Sequence, residues 1–140
     1  MNYINKNIIQ KVCVKRNSNA HKGDHGKILC IGGSEDYVGA PYLAANAAIA
    51  AFRTGIDIVT IAAPKKVAYA INSLNPDIIS KKINCTYFTQ KESDEILELA
   101  ESYDCILIGP GIGQKSDTSL FVNEIIKNIK KPIVIDADAI

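Results

Sequence analysis

Lys27-Ile28-Leu29-Cys30-Ile31-Gly32-Gly33-Ser34 is a short apolar run ended by two glycines. A run that is apolar on both faces suits a strand in a sheet covered on both sides. After the polar loop Glu35-Asp36-Tyr37-Val38-Gly39 comes an alanine-rich stretch from Ala40 to Gly55. Pro41 fits a first helical turn, alanine dominates the interior and Gly55 fits a C-terminal cap, so a helix is predicted there. Asp57 to Ala62 is a second strand, stopped at Ala63-Pro64. Strand, helix and strand in this order form the first unit of a parallel α/β sheet.

The remainder repeats the pattern. Residues 66–88 carry a less distinct helix and strand around the turn signal Asn75-Pro76-Asp77. Thr89-Gln90-Lys91-Glu92 has the form of a capping box and opens an acidic helix ending near Ser102, with Ile96, Leu97 and Ala100 as its apolar stripe. Asp104 to Ile108 is a third apolar strand, closed by Gly109-Pro110-Gly111-Ile112-Gly113. Ser116 is placed to cap a helix in which Phe121, Ile125 and Ile129 share one face. Pro132 to Ile135 is a fourth strand, of buried type, running into Asp136-Ala137-Asp138-Ala139-Ile140. The fold class that follows is α/β, with a mostly parallel, doubly wound sheet. In such sheets ligands sit beyond the carboxyl ends of the strands. Three distinctive loops leave those ends: Gly32-Gly33-Ser34, Gly109 to Gly113, and Asp136 to Asp138. They are expected to line one pocket.

Composition narrows the function classes. The 140 residues are 47% hydrophobic and 22% charged, as in an ordinary globular domain. Sixteen basic against fifteen acidic residues leave a net charge of +1, which argues against broad electrostatic binding to nucleic acid or to an acidic membrane. No window approaches the run of apolar residues a transmembrane helix needs, and the start shows no secretory h-region. Cys13, Cys30, Cys85 and Cys105 are widely spaced, without metal-ligand cadence. Reduced thiols and a cytoplasmic location are expected. The sequence stops at Ile140 directly after an apolar strand, and the expectation is a part of a longer protein or half of one compact domain.

Several motifs could carry chemistry. Gly32-Gly33-Ser34 followed by Gly39-Ala40 admits an ordinary strand-to-helix turn or a loop offering N–H groups to an anion. It matches neither G-x-G-x-x-G nor the Walker pattern. Three glycines in five positions at Gly109–Gly113 favour a backbone that passes close to a ligand. Asp136 and Asp138 could bind Mg2+ through water, orient a hydroxyl, cap the following segment, or simply fix their loop. His21-Lys22-Gly23-Asp24-His25-Gly26 reads as a solvated loop in which Lys22 could meet a phosphate; its two histidines are poorly spaced for zinc. No Ser-His-Asp set is recognisable.

Taken in order, His21 to Lys27, Ile31 to Ser34, Tyr37 to Pro41, Arg53-Thr54-Gly55, Gly109 to Gly113 and Asp136 to Ile140 resemble the NAD(P)H-hydrate dehydratases of the ribokinase-like superfamily. The resemblance implies a ribokinase-like three-layer sandwich, with residues 1–20 as a lead-in and 21–140 as the N-terminal half of the domain. It implies a carbon–oxygen lyase that repairs hydrated NADH or NADPH. An ADP- (or ATP-) and Mg2+-dependent phosphorylation of the ring hydroxyl is followed by loss of phosphate. It places Ala40, Gly111, Gly113 and Asp136 at the substrate and suggests a homo-oligomer. The family pattern continues beyond these residues to a Gly-Thr-Gly-Asp segment holding the catalytic base. That segment is absent here, so the 140 residues alone are expected to lack the catalytic Asp and to be catalytically incomplete. Two alternatives stay open: another ribokinase-like kinase acting on a vitamin alcohol, and a non-enzymatic nucleotide-binding module.

Overall fold

The computed structural model describes residues 5–6, 18–50 and 56–140. Five strands alternate with helices: β1 (Lys27–Ile31), α1 (Gly39–Ala50), β2 (Ile58–Pro64), α2 (Lys65–Leu74), β3 (Ile79–Ile83), α3 (Ser93–Glu101), β4 (Cys105–Ile108), α4 (Ser116–Asn128) and β5 (Ile133–Ile135). The strands form one sheet in the order β3-β2-β1-β4-β5, and every neighbouring pair is parallel. The doubly wound expectation is therefore met. Arg53-Thr54-Gly55, including the expected Gly55 cap, and Cys13 lie outside the described residues.

Strand alternation divides the core in two. Leu29, Ile31, Ile106 and Ile108 point to one face, where Ile96 and Ala100 of α3 and Phe121 and Ile125 of α4 cover them. Cys30, Val59, Ile61 and Ala63 point to the other, under Ala45 of α1 and Val67, Ala68 and Ile71 of α2. Because α1 and α2 lie over β1, β2 and β3, that second face is uncovered at β5 among the described residues. Val134 is 54% exposed there, so β5, apolar in composition, is a partly exposed edge of the sheet in these 140 residues.

Local chemistry explains the element boundaries. The capping box is formed: the Thr89 N–H donates to the Glu92 carboxylate at 2.8 Å, and the Lys91 N–H donates to the Thr89 hydroxyl. It closes a single 3-10 turn, Gln90–Glu92, from which α3 continues. The Asn75 side chain accepts from the Asp77 N–H at 2.9 Å, making the turn that Asn75-Pro76-Asp77 signals. Two expectations fail. β2 runs on through Pro64, which pairs with Ile83 and then serves as the cap of α2; a proline at a strand's last position removes no interior ladder bond. Ser116 is the first residue of α4 rather than its cap, a place taken by Lys115 in extended backbone without a side-chain cap bond.

The loop before α3 is held by aromatic packing. The Phe88 and Phe121 rings stack with centroids 4.8 Å apart, and the buried Thr118 hydroxyl donates to the Phe88 carbonyl at 2.9 Å. Phe121→Ala is expected to cost about 3–5 kcal/mol of stability, read by chemical denaturation, and Thr89→Ala about 1 kcal/mol. The Cys30 thiol is pushed up to about 12, first by burial and then by the nearby Asp136 charge. Its unfolded value is 9.0, so the neutral thiol favours the folded state. That contribution is complete below pH 9 and falls as pH rises from 9 toward 12. Cys30→Ala is therefore expected to flatten the loss of stability across that window, and the native Cys30 thiol to resist labelling that the unfolded chain accepts.

Candidate functional site

β1 and β4 are neighbours whose outgoing connections turn to opposite faces of the sheet, which makes their carboxyl ends the topological switch point. The two loops leaving it are bonded to each other. The Gly109 N–H donates to the Ile31 carbonyl at 3.0 Å, and the Gly33 N–H donates to the Pro110 carbonyl at 2.9 Å. A Cβ on Gly32 would run into that same Pro110 carbonyl, so only glycine lets the chains approach this closely. The third loop joins from β5. The Asp136 N–H donates to the Ile108 carbonyl at 3.0 Å, and the Asp136 carbonyl occupies the place a Gly109 side chain would need.

The four candidate residues meet on this rim. Ala40 is half-buried in the first turn of α1, and a methyl added to Gly111 would stand 3.0 Å from its Cβ and 2.7 Å from that of Tyr37. Gly113 faces the Ser34 side chain across ordinary contact distance. Asp136 is exposed at the end of β5, its backbone against Gly109. Tyr37, not singled out as a site residue by sequence, stands on the rim 57% exposed. The expected glycine-lined pocket is corrected in one respect: Gly32, Gly109 and Gly111 are buried in loop-to-loop packing, so the rim is a compact shelf.

The Asp136–Asp138 pair separates into two roles. The Asp138 carboxylate accepts from the Gly113 N–H at 3.1 Å and from the Gln114 side-chain amide at 3.0 Å. Ala137 between the two carboxylates has φ +49°, a left-handed conformation that costs a non-glycine residue on the order of 1–2 kcal/mol. Of the amides in Gly109–Gly113, those of Gly109, Ile112 and Gly113 donate to the Ile31 carbonyl, the Gly109 carbonyl and Asp138. Pro110 has none to offer, which leaves the Gly111 N–H as the loop's unengaged donor among the described residues.

Other sequence candidates lie elsewhere. The His21–Gly26 loop precedes β1 and sits at the opposite end of the sheet. There the Asp57 carboxylate accepts the Gly23 and His25 N–H groups at 2.9 and 3.1 Å. Lys22 borders a cleft of about 440 Å³ with Pro76 and Asp77, away from the rim. A larger cleft of about 520 Å³, between the carboxyl ends of α3 and α4, is also at that far end. Among the described residues no three His, Cys, Asp or Glu side chains gather to hold a metal ion, so these residues do not by themselves fit Mg2+. No helix is long and apolar enough to cross a membrane among the described residues.

Comparison with known proteins agrees with this geometry. The family model described as NAD(P)H-hydrate dehydratase matches residues 28–140. The bifunctional NAD(P)H-hydrate repair enzyme of Methanothermobacter thermautotrophicus is 45% identical over 128 residues, covering 89% of this chain and 24% of the relative. The chain thus spans about a quarter of that relative's length. The crystal structure of the ADP/ATP-dependent NAD(P)H-hydrate dehydratase of Bacillus subtilis, co-crystallised with ATP and Mg2+, superposes with a TM-score of 0.70 at 26% identity, over 95% of this chain and 44% of that one. A ribokinase-like protein of Enterococcus faecalis shares the fold, with a TM-score of 0.75 at 24% identity over 98% of this chain and 45% of its own. A five-stranded parallel sheet whose switch-point loops are joined glycine to carbonyl, matched by this family from β1 through the last turn, shows that the chain belongs to the NAD(P)H-hydrate dehydratase family, with a ribokinase-like fold.

Proposed function

We propose that residues 21–140 form the N-terminal half of the catalytic domain of an ADP- or ATP-dependent (S)-NAD(P)H-hydrate dehydratase, and that Ala40, Gly111, Gly113 and Asp136 face the hydrated dihydronicotinamide. The observation that carries this reading is the convergence of those four residues on one rim at the switch point of a sheet belonging to this family. Hydroxide is a poor leaving group from the reduced ring, whereas phosphate is a good one. Phosphoryl transfer from a nucleotide to the ring hydroxyl, followed by loss of the phosphate and a ring proton, restores the double bond. The contribution of this segment is positional. The small Ala40 side chain, half-buried on the rim, leaves room for a planar ring, and Gly111, packed against Ala40 and Tyr37, supports it from the loop. The Asp136 carboxylate is exposed at the end of β5 beside the same rim and can orient a hydroxyl. Mg2+ would neutralise charge on the transferring phosphoryl group, and the described residues do not gather a site for it.

The location consistent with such an enzyme is the cytoplasm, with a homo-oligomer as its assembly and no nucleic-acid or membrane partner. A vitamin-alcohol kinase on the same fold is the competing reading. The full-length protein containing these residues, given NADH hydrate with ADP or ATP and Mg2+, is expected to return the absorbance of NADH; phosphorylation of a vitamin alcohol with no NADH recovered would overturn the proposal. Gly111→Ala forces a methyl into a position with φ +61° against Tyr37 and Ala40. It is expected to cost about 1–2 kcal/mol of stability and to raise the KM for the hydrate more than that for the nucleotide.

A further inference from the structure

The Ala137–Ala139 turn holds the glycine loop at both of its ends. At the near end a methyl on Gly109 would lie 2.7 Å from the Ala139 Cβ, and at the far end the Asp138 carboxylate receives the Gly113 N–H and the Gln114 amide. The backbone between these grips is left-handed at Ala137. A strained residue persists only where its surroundings over-determine it. The two Asp138 hydrogen bonds supply that restraint, and one of them withdraws an amide from the rim.

Resting on the dehydratase reading above, we propose that Asp138 is a positioning residue for substrate binding: by engaging the Gly113 N–H it fixes the far end of the glycine loop, and with it the rim against which the hydrated ring would lie. Without the carboxylate the Gly113 amide is released, the far end of the loop loses its anchor, and the rim is no longer held in one arrangement. The loop is read as facing the hydrate, so the effect is expected on that substrate rather than on the nucleotide.

The test uses the full-length protein with Asp138→Ala, Asp138→Asn and Gln114→Ala. Loss of the bond to a charged acceptor is expected to raise the KM for NADH hydrate about tenfold in Asp138→Ala, with the nucleotide KM within about twofold of wild type. Asparagine keeps an oxygen for the Gly113 N–H and is expected to restore most of the loss. Gln114→Ala, which leaves the Gly113 bond in place, gives a smaller shift in the same direction and still reports if Asp138→Ala folds poorly. Equal shifts in both KM values, or none, would overturn the proposal, as would an asparagine variant no better than alanine. Hydrogen exchange across Gly109–Gln114 separates the two readings. If the wild-type protein leaves NADH hydrate untouched, the dehydratase reading falls, and the substrate role of Asp138 falls with it. Faster exchange in Asp138→Ala would then retain the loop anchor alone, and unchanged exchange would remove that too.

Discussion

The whole site depends on the close approach of two loop backbones. The Pro110 carbonyl lies where a side chain on Gly32 would be, and it accepts the Gly33 N–H. Any Cβ at Gly32 would drive the β1 and β4 loops apart, and with them the positions of Ala40 and Gly111. The same device recurs one strand over, where the Asp136 carbonyl presses on Gly109. Three strand ends are thereby drawn into one rim by main-chain contacts rather than by long side chains. Such contacts fix the three loop backbones against one another without long side chains between them.

The two ends of the sheet are built by opposite means. At the amino end, carboxylates hold backbone. Asp57 receives two amides of the His21–Gly26 loop, and Asp104 receives the Lys27 N–H at 2.8 Å while its own N–H donates to the Lys27 carbonyl. Charged acceptors make strong, directional bonds and fix these loops in place. At the carboxyl end, glycines bring the chains together, and among the described residues only Asp138 acts as a carboxylate anchor of this kind, on Gly113. The His-Lys-Gly-Asp-His segment thus belongs to the closed end, although its composition resembles a ligand loop. Its lysine and histidines sit across the sheet from the rim.

Much of the fold was legible. The continuous apolar runs at 27–31, 58–62 and 105–108, the capping box at Thr89 and the turn at Asn75 all appear where the pattern puts them, because each is decided within a few residues of chain. Which face of β5 is uncovered was not legible, because it depends on where α1 and α2 come to lie. The cap of α4 was misassigned for a similar reason: Ser116 has the chemistry of a cap, but the extended backbone falls at Lys115. Asp138 was weighed among several roles, and only the position of Gly113, 25 residues earlier, selects one of them.

By itself, then, the sequence determined the α/β class, the parallel sheet and the three loops that leave its carboxyl edge, since periodicity and glycine placement act over short stretches of chain. Tertiary structure alone decided the strand order that makes β1 and β4 neighbours, the burial of Gly109 and Gly111 against other loops, and the division of labour between Asp136 and Asp138. Those outcomes turn on contacts between residues tens of positions apart. A hydrogen bond or a forbidden Cβ position exists only once both partners have been brought together, and no single stretch of sequence carries that distance.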